Sequence, residues 1–203
     1  MKDLGEASHI LGIQIYRDRS KRLIGLSQSV YIDKVLKRFS MSNSKKGMVP
    51  MVLGKSLSKA GCPLTREAID YISRIPYASA INSIMHAMLC TCLDVVYALS
   101  MTSRFQSDPG ESHGTVVKNI LKYLRRTKDV FLVYGGQEGE LVLSGYTDAG
   151  FQYDHDNFRL QSGFVFCLNG GAASWRSSKQ DTVADSTTES EYIAASDAAK
   201  EAI

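Results

Sequence analysis

The chain has 203 residues, of which 44% are hydrophobic and 22% charged, as is ordinary for a soluble globular protein. This length accommodates one large domain or two small ones. No apolar run reaches the length of a membrane span and no signal-peptide pattern opens the chain. The sequence therefore predicts a protein of the cytoplasm or nucleus that is neither secreted nor bound to a membrane.

The net charge of +3 is unevenly distributed along the chain. Residues 1–63 carry 12 lysines and arginines against four acidic residues, whereas residues 141–203 carry four against nine. A basic first part and an acidic last part suit a polyanion-binding surface beside a metal-binding site. Basic residues that only keep a domain soluble would give the same composition, so charge alone leaves both interpretations open.

The first third of the chain predicts two strands, a helix and a loop. Residues 10–16 and 23–27 alternate well enough for strands, with a charged turn between them. Residues 28–41 predict a helix, because four apolar residues form a stripe at helical spacing: Tyr31, Val35, Leu36 and Phe39. Residues 42–65 are rich in Ser, Lys, Gly and Pro, which is typical of a linker or a long surface loop.

The middle third predicts helices. Pro76 suits a helix start, and apolar residues continue at helical spacing to Phe105. Residues 116–127 predict a further helix with one apolar face. Its outer side and C-terminal end are basic: Lys118, Lys122, Arg125, Arg126 and Lys128. These residues either contact nucleic acid or complement the helix dipole, and the sequence leaves both possibilities open.

From residue 130 the hydrophobic period changes to two, which predicts strands. Four segments show it: 131–134, 141–147, 160–168 and 172–177. Asn169-Gly170-Gly171 predicts a tight turn and therefore an antiparallel hairpin between the last two strands. A final helix is expected from about residue 187 to the end. Together with the helical middle third, these strands give an α+β fold class.

Two carboxylates carry the chemistry of the C-terminal region. Asp148 follows an alternating strand, at an exposed strand end. Five alanines form one small-residue face suited to packing on a sheet: Ala194, Ala195, Ala198, Ala199 and Ala202. Glu191 lies three and four residues before the first two, so it is expected to share that face and to point toward the sheet. A fold that brings the two carboxylates together would supply ligands for a pair of Mg²⁺ ions that cleave phosphodiesters.

Other residues with ligand chemistry are assigned mostly structural roles. Glu189 is expected to point away from the sheet and to form a capping box with Ser186. The four cysteines lack paired metal-ligand spacing and predict reduced thiols in a core. No pair of the four histidines has helical metal-ligand spacing. His155 follows Asp148 in a loop and either approaches a bound metal or substrate or is simply part of a polar loop.

These residues carry a family resemblance. Over nearly its whole length the chain resembles part of the Pol polyprotein of a Ty1/copia-type LTR retrotransposon. The most specific motifs resemble its RNase H domain: residues 145–149, 162–163, 174–180 and 186–195. Weaker motifs occur in the family's order. Residues 1–6 and 11–13 resemble the primer-grip region, residues 31–41 and 76–99 the thumb and connection, and residues 112–113 and 120–125 the helix before RNase H.

The resemblance implies a fold, a domain division and a reaction. It implies the end of the reverse transcriptase palm, with the start of the thumb and a linker, at 1–63. A helical thumb and connection at 64–129 and a truncated ribonuclease H-like meander with helix A at 130–203 would follow. Asp148 matches the first catalytic carboxylate and Glu191 that of helix A. The implied reaction is hydrolysis of the RNA strand of an RNA–DNA hybrid with two Mg²⁺ ions, and the implied partners are nucleic acid and the rest of the Pol polyprotein.

The chain also departs from the family pattern. The polymerase carboxylates would lie before Met1 and the third RNase H aspartate after Ile203, so both active sites are expected to be incomplete and the isolated chain to have little or no activity. Gly114 stands where the family favours tryptophan, which would cost a few kcal/mol if that site is core. Two alternatives remain: a non-catalytic nucleic-acid-binding module and a pseudogene-derived relic that does not fold.

Overall fold

The computed structural model describes residues 5–52, 54, 57–136, 141–150, 154 and 156–203. Within these residues the chain is α+β, as predicted. The described part of the chain contains seven strands: β1 (His9–Ile10), β2 (Ile13–Asp18), β3 (Leu23–Ser27), β4 (Leu132–Gly135), β5 (Leu143–Gly150), β6 (Gln161–Leu168) and β7 (Gly171–Lys179). Six α-helices accompany them: α1 (Ser29–Arg38), α2 (Arg66–Ser73), α3 (Tyr77–Cys90), α4 (Val96–Ser103), α5 (Glu111–Thr127) and α6 (Thr187–Ala202).

The first sheet joins distant parts of the chain. Its order is β1-β2-β3-β4, and all neighbouring strands are antiparallel. β4 follows the helical region yet pairs with β3 in the register Gly25 to Val133. Strands from the first and third predicted domains, 1–63 and 130–203, therefore share one sheet. The predicted domain boundaries stay predictions.

The second sheet is an antiparallel meander in the order β5-β6-β7. The predicted hairpin between its last two strands is confirmed. Leu168 pairs with Gly171, and the two residues between them have left-handed backbones, with φ of 47° at Asn169 and 82° at Gly170. Positive φ at both central positions is what a type I′ turn requires, and Asn-Gly adopts it at low steric cost.

The main core lies among α1, α3, α4 and α5. Ile81, Ile84, Val95 and Ile120 are fully buried there. Each such side chain contributes roughly 1.5–3 kcal/mol of transfer free energy relative to exposure. No described helix combines the length and the apolarity that crossing a bilayer would require.

Helix α5 begins five residues earlier than predicted. The apolar stripe starts at Val116, but the helix starts at Glu111. His113 makes this first turn possible, because the Gly110 N–H donates to its Nδ1 at 2.8 Å and so satisfies a backbone donor at the helix end. Periodicity alone could not reveal a cap formed by a buried histidine.

The segment 42–65 behaves as a packed surface loop. Its described residues contain a 3₁₀ turn at Lys59–Gly61 but no strand or α-helix. Leu57 is buried in the helical core, and Gly47 N donates to Lys122 O at 2.9 Å. These contacts favour the surface-loop alternative over a free linker.

The four cysteines are free, but all four are only half-buried, whereas the sequence predicted thiols in a core. Cys62 and Cys92 pack against the helical core. Burial raises the pKa of the Cys92 thiol to about 11, so it stays protonated at neutral pH. A protonated, packed thiol acts as a small apolar side chain and not as a nucleophile or metal ligand.

Candidate functional site

Asp148 lies near the end of β5, on the face of the meander turned toward α4. Its cross-strand neighbour is Gly163, which lies two residues from Gln161 on β6. The Nε2 atom of Gln161 donates to Ser100 Oγ of α4 at 2.9 Å. Because side chains alternate between faces along a strand, Asp148 shares the face of Gln161, and Ala149 takes the opposite face. Asp148 is exposed and borders a cleft of about 650 Å³ that α4 also lines.

Glu191 lies in the first half of α6, beside its buried stripe. That stripe consists of Ser190, Ala194 and Ala198, four residues apart. Three of the alanines expected to be buried are exposed: Ala195, Ala199 and Ala202. The alanine face predicted from sequence is therefore wrong in its phase around the helix. Glu191 is itself exposed and flanks the packed surface instead of facing the sheet.

The strand register separates the two carboxylates. Gln180 Nε2 donates to Ser162 Oγ and to Ser190 O, both at 2.9 Å, which places Ser162 under α6. Ser162 is the cross-strand neighbour of Ala149, so α6 covers the face opposite to that of Asp148. The sheet lies between the two predicted ligands, and their assignment as a catalytic pair stays a prediction.

A two-magnesium site needs several oxygen ligands that converge on one point. Among the described residues, no group of three or more histidine, cysteine, aspartate or glutamate side chains could hold a metal ion. Asp148 lies on the face of the meander opposite to α6, the helix that carries Glu191, so the described contacts do not bring the two carboxylates together. The prediction for His155 falls outside the described residues.

The predicted role of Glu189 is nearly correct. Ser186 is the N-cap of α6, and its side chain accepts a hydrogen bond from Glu189 N at 3.1 Å. The Glu189 carboxylate reaches one residue further back than a capping box requires and accepts from Asp185 N at 2.7 Å. Its charge thus stabilises the start of the helix.

The sequence did not predict the buried ionic cluster around Asp154. Asp154 Oδ2 accepts from Arg104 Nη1 at 3.0 Å and from Lys179 Nζ at 2.9 Å, and its side chain is only 7% exposed. Arg104 Nη2 also donates to Gln161 Oε1. Burial disfavours the charged carboxylate, but the bonds from Lys179 and Asp156 N and the charge of Arg104 outweigh it and lower the pKa of Asp154.

The basic residues of α5 form a surface at its outer side. Lys118 and Arg126 are exposed, and Lys122 and Arg125 are half-buried. No ion pair with another described residue neutralises any of these four. Lys128 differs, because its Nζ donates to Asp33 at 2.9 Å. The charge of Lys128 is therefore paired with a carboxylate, whereas the other four have no carboxylate partner among the described residues.

The loop at residues 45–48 extends this basic surface. Gly47 lies directly against α5, where a Cβ at this position would come within 3.0 Å of Tyr123 N. The Gly47 N to Lys122 O bond holds the loop against the helix, and Met48 lies beside Arg126. Lys45 and Lys46, both exposed, are thereby brought beside the C-terminal half of the helix. We call Lys45, Lys46, Lys118, Lys122, Arg125 and Arg126 the basic surface.

Comparison with curated proteins finds relatives across the whole chain. A Retrovirus-related Pol polyprotein from transposon TNT 1-94 of Nicotiana tabacum is 46% identical over all 203 residues. A Secreted RxLR effector protein 161 of Plasmopara viticola is 42% identical over 65% of this chain and 92% of its own length. A Putative transposon Ty5-1 protein of Saccharomyces cerevisiae is 29% identical over 99% of this chain and 63% of its own length.

The chain corresponds to a small part of the tobacco relative, since it spans 15% of that polyprotein's length. No protein-family model matches the chain, and no solved structure matches it significantly.

Proposed function

The chain belongs to the Pol polyproteins of copia-type LTR retrotransposons, and on this premise we propose that it is a segment that binds nucleic acid through the basic surface on α5. The segment would comprise the thumb and connection of reverse transcriptase and the first part of an RNase H-like domain. Its ligand would be an RNA–DNA hybrid, and its place of action the cytoplasm or nucleus, together with the rest of the polyprotein.

This proposal rests on the position of two basic segments, which are distant in sequence but adjacent in the fold. Lys45 and Lys46 are more than 70 positions from Lys118 in the sequence, yet the contacts of Gly47 place them beside α5. Cations that only complemented the helix dipole would need no such neighbours. Several unpaired cations on one surface are what neutralisation of consecutive phosphates requires.

Binding should be strongly dependent on salt. For a fluorescently labelled RNA–DNA hybrid, we expect log K to fall linearly with log salt concentration. The double variant Lys118→Gln/Lys122→Gln should make that slope less steep by about two, since each phosphate contact contributes about 0.9. Fluorescence anisotropy at several ionic strengths measures both quantities.

A matched control removes two exposed cations elsewhere. Arg66→Gln/Lys200→Gln changes the net charge equally but alters α2 and α6. It should leave the slope of log K against log salt concentration the same as that of the unmodified chain, within error. If both double variants changed the slope equally, binding would reflect net charge alone, and the basic surface would not be the site.

We further propose that the isolated chain does not hydrolyse the hybrid. The proposal is supported by the position of Asp148 on the face of the meander opposite to α6, which carries Glu191. Incubation of a labelled RNA–DNA hybrid with Mg²⁺ should give no cleavage above the level seen with Asp148→Asn. Cleavage that Asp148→Asn and Glu191→Gln both abolished would contradict this proposal, and would require β5 and α6 to rearrange.

One observation favours the alternative that the chain is a pseudogene-derived relic that does not fold. β5 is an edge strand of its sheet, and Leu143 and Tyr146 on it are 67% and 65% exposed. An exposed apolar edge favours aggregation of a chain that lacks its covering partner. A single cooperative thermal transition of a monodisperse chain would exclude this alternative, and aggregation without a transition would support it.

A further inference from the structure

A second cavity lies between α5 and the segment 71–77, next to the end of α1. Its volume is about 330 Å³, at the lower end of the range for small-molecule sites. Apolar and aromatic side chains from several elements line it, among them Phe39, Tyr71, Ile75 and Leu121. Gly114 of α5 also borders it, and a Cβ there would meet no atom within 4 Å.

The charges at this cavity are predominantly positive. Three charged residues line it: Arg38, Lys118 and Glu111. Arg38 and Lys118 are exposed, so their cations are available at the mouth to a ligand anion. The first turn of α5, at Gly110 and Glu111, adds the positive end of a 17-residue helix. The cavity therefore combines an apolar interior with a cationic rim, the complement of an aromatic ring that carries an anionic group.

The cavity is continuous with the basic surface, because Lys118 belongs to both. We propose that it binds one unstacked nucleobase of a single-stranded segment, with the attached phosphate held by Arg38 and Lys118. Tyr71, 65% exposed, lies where it can cover the base, and stacking of bases on aromatic side chains is largely independent of sequence. The choice of a nucleotide as ligand rests on the proposed function, whereas the cavity and its charges do not.

Adenosine monophosphate and adenosine are the probes for this site. Isothermal titration calorimetry should show saturable binding of the monophosphate and at least about tenfold weaker binding of the nucleoside, since the phosphate makes two charge-assisted contacts. Arg38→Gln should reduce this difference, and Arg38→Gln/Lys118→Gln should bring the two affinities close together. Glu111→Gln should strengthen binding of the monophosphate, since it removes the one anion on the rim. Equal affinities for both probes in the unmodified chain would overturn the assignment of the phosphate.

Gly114→Phe tests the cavity itself. Its ring would occupy the space beside α5 and should abolish binding of both probes. Ala195→Phe adds the same ring at an exposed position of α6 and is the matched control. Circular dichroism and thermal melting establish that each variant folds; if Gly114→Phe does not, Arg38→Gln decides the outcome. Full binding by a folded Gly114→Phe chain, or no saturable binding of the monophosphate, would overturn the proposal.

The same variants separate this proposal from the proposed function. Gly114 is not part of the basic surface, so a folded Gly114→Phe chain should bind the RNA–DNA hybrid with an unchanged salt dependence. If the monophosphate binds and the hybrid does not, the nucleotide site stands and the proposed function is wrong. If the hybrid binds and the monophosphate does not, the nucleotide site is wrong and the proposed function stands.

Discussion

At the scale of single residues, His113 shows how a titratable group can be structural. Its ring is fully buried and stacks on Phe105, with 4.0 Å between ring centroids. Its Nδ1 accepts the Gly110 N–H, so a proton on that nitrogen would place two donors against each other. Burial lowers the pKa of His113, although the Ser58 carbonyl and two nearby carboxylates act in the opposite direction.

This lowered pKa predicts a pH-dependent stability. The unfolded chain takes up the proton near pH 6.5, whereas the folded chain resists it, so the contribution of His113 is complete above that pH and is lost as pH falls further. We expect the unfolding temperature to fall between pH 7 and pH 5, and His113→Gln to remove part of that fall. Thermal unfolding followed by circular dichroism at several pH values measures it.

The control is His9→Gln, which removes an exposed histidine. An equal fall in unfolding temperature for the His113→Gln chain and the unmodified chain would show that His113 does not titrate in the way proposed.

At the scale of elements, local patterns predicted more than long-range placement. The turn at Asn169 and Gly170 and the N-cap at Ser186 follow from residue types whose backbone or side-chain preferences are local. The buried face of α6 was missed because its alanines cover a wide arc, and small side chains do not specify which part of that arc is packed. The buried stripe of Ser190, Ala194 and Ala198 lies at one border of the arc, where Gln180 Nε2 donates to Ser190 O.

Asp148 illustrates the same limit. Its position near a strand end was visible in sequence, but its face depends on which residue of β6 lies opposite, and that register is set by tertiary packing. A shift of one residue would move Asp148 to the side of α6. The sequence therefore identified the two candidate carboxylates, Asp148 and Glu191, but it could not predict whether the fold brings them together.

At the scale of the whole molecule, the cluster around Asp154 connects the helical core to the meander. Arg104 follows α4 and Lys179 ends β7, so Asp154 joins two elements that are far apart in sequence. Nothing in the sequence pairs these residues, because polar loop residues have no periodicity. Among the described ion pairs, the two at Asp154 are the most deeply buried.

Loss of the Asp154 charge should destabilise the chain substantially. Asp154→Asn keeps the shape but leaves Arg104 and Lys179 without their counter-charge, at a cost of about 3 kcal/mol in the free energy of unfolding. Asp197→Asn, which breaks the exposed pair with Lys200, should cost less than about 0.5 kcal/mol. Urea denaturation of both variants gives the comparison, and similar small losses would mean that the cluster does not stabilise the junction.

The pairing of β4 with β3 has a consequence for the order of events during synthesis. β3 leaves the ribosome before the helices that follow it, with one backbone edge unpaired, and the strand that covers this edge is made only after the whole helical region. Because closing so long a loop is entropically costly, the compact helices should form first and bring the two ends of that loop close together. Until then the nascent chain exposes a strand edge that could pair with another chain, so β4 protects the newly made protein as well as completing its sheet.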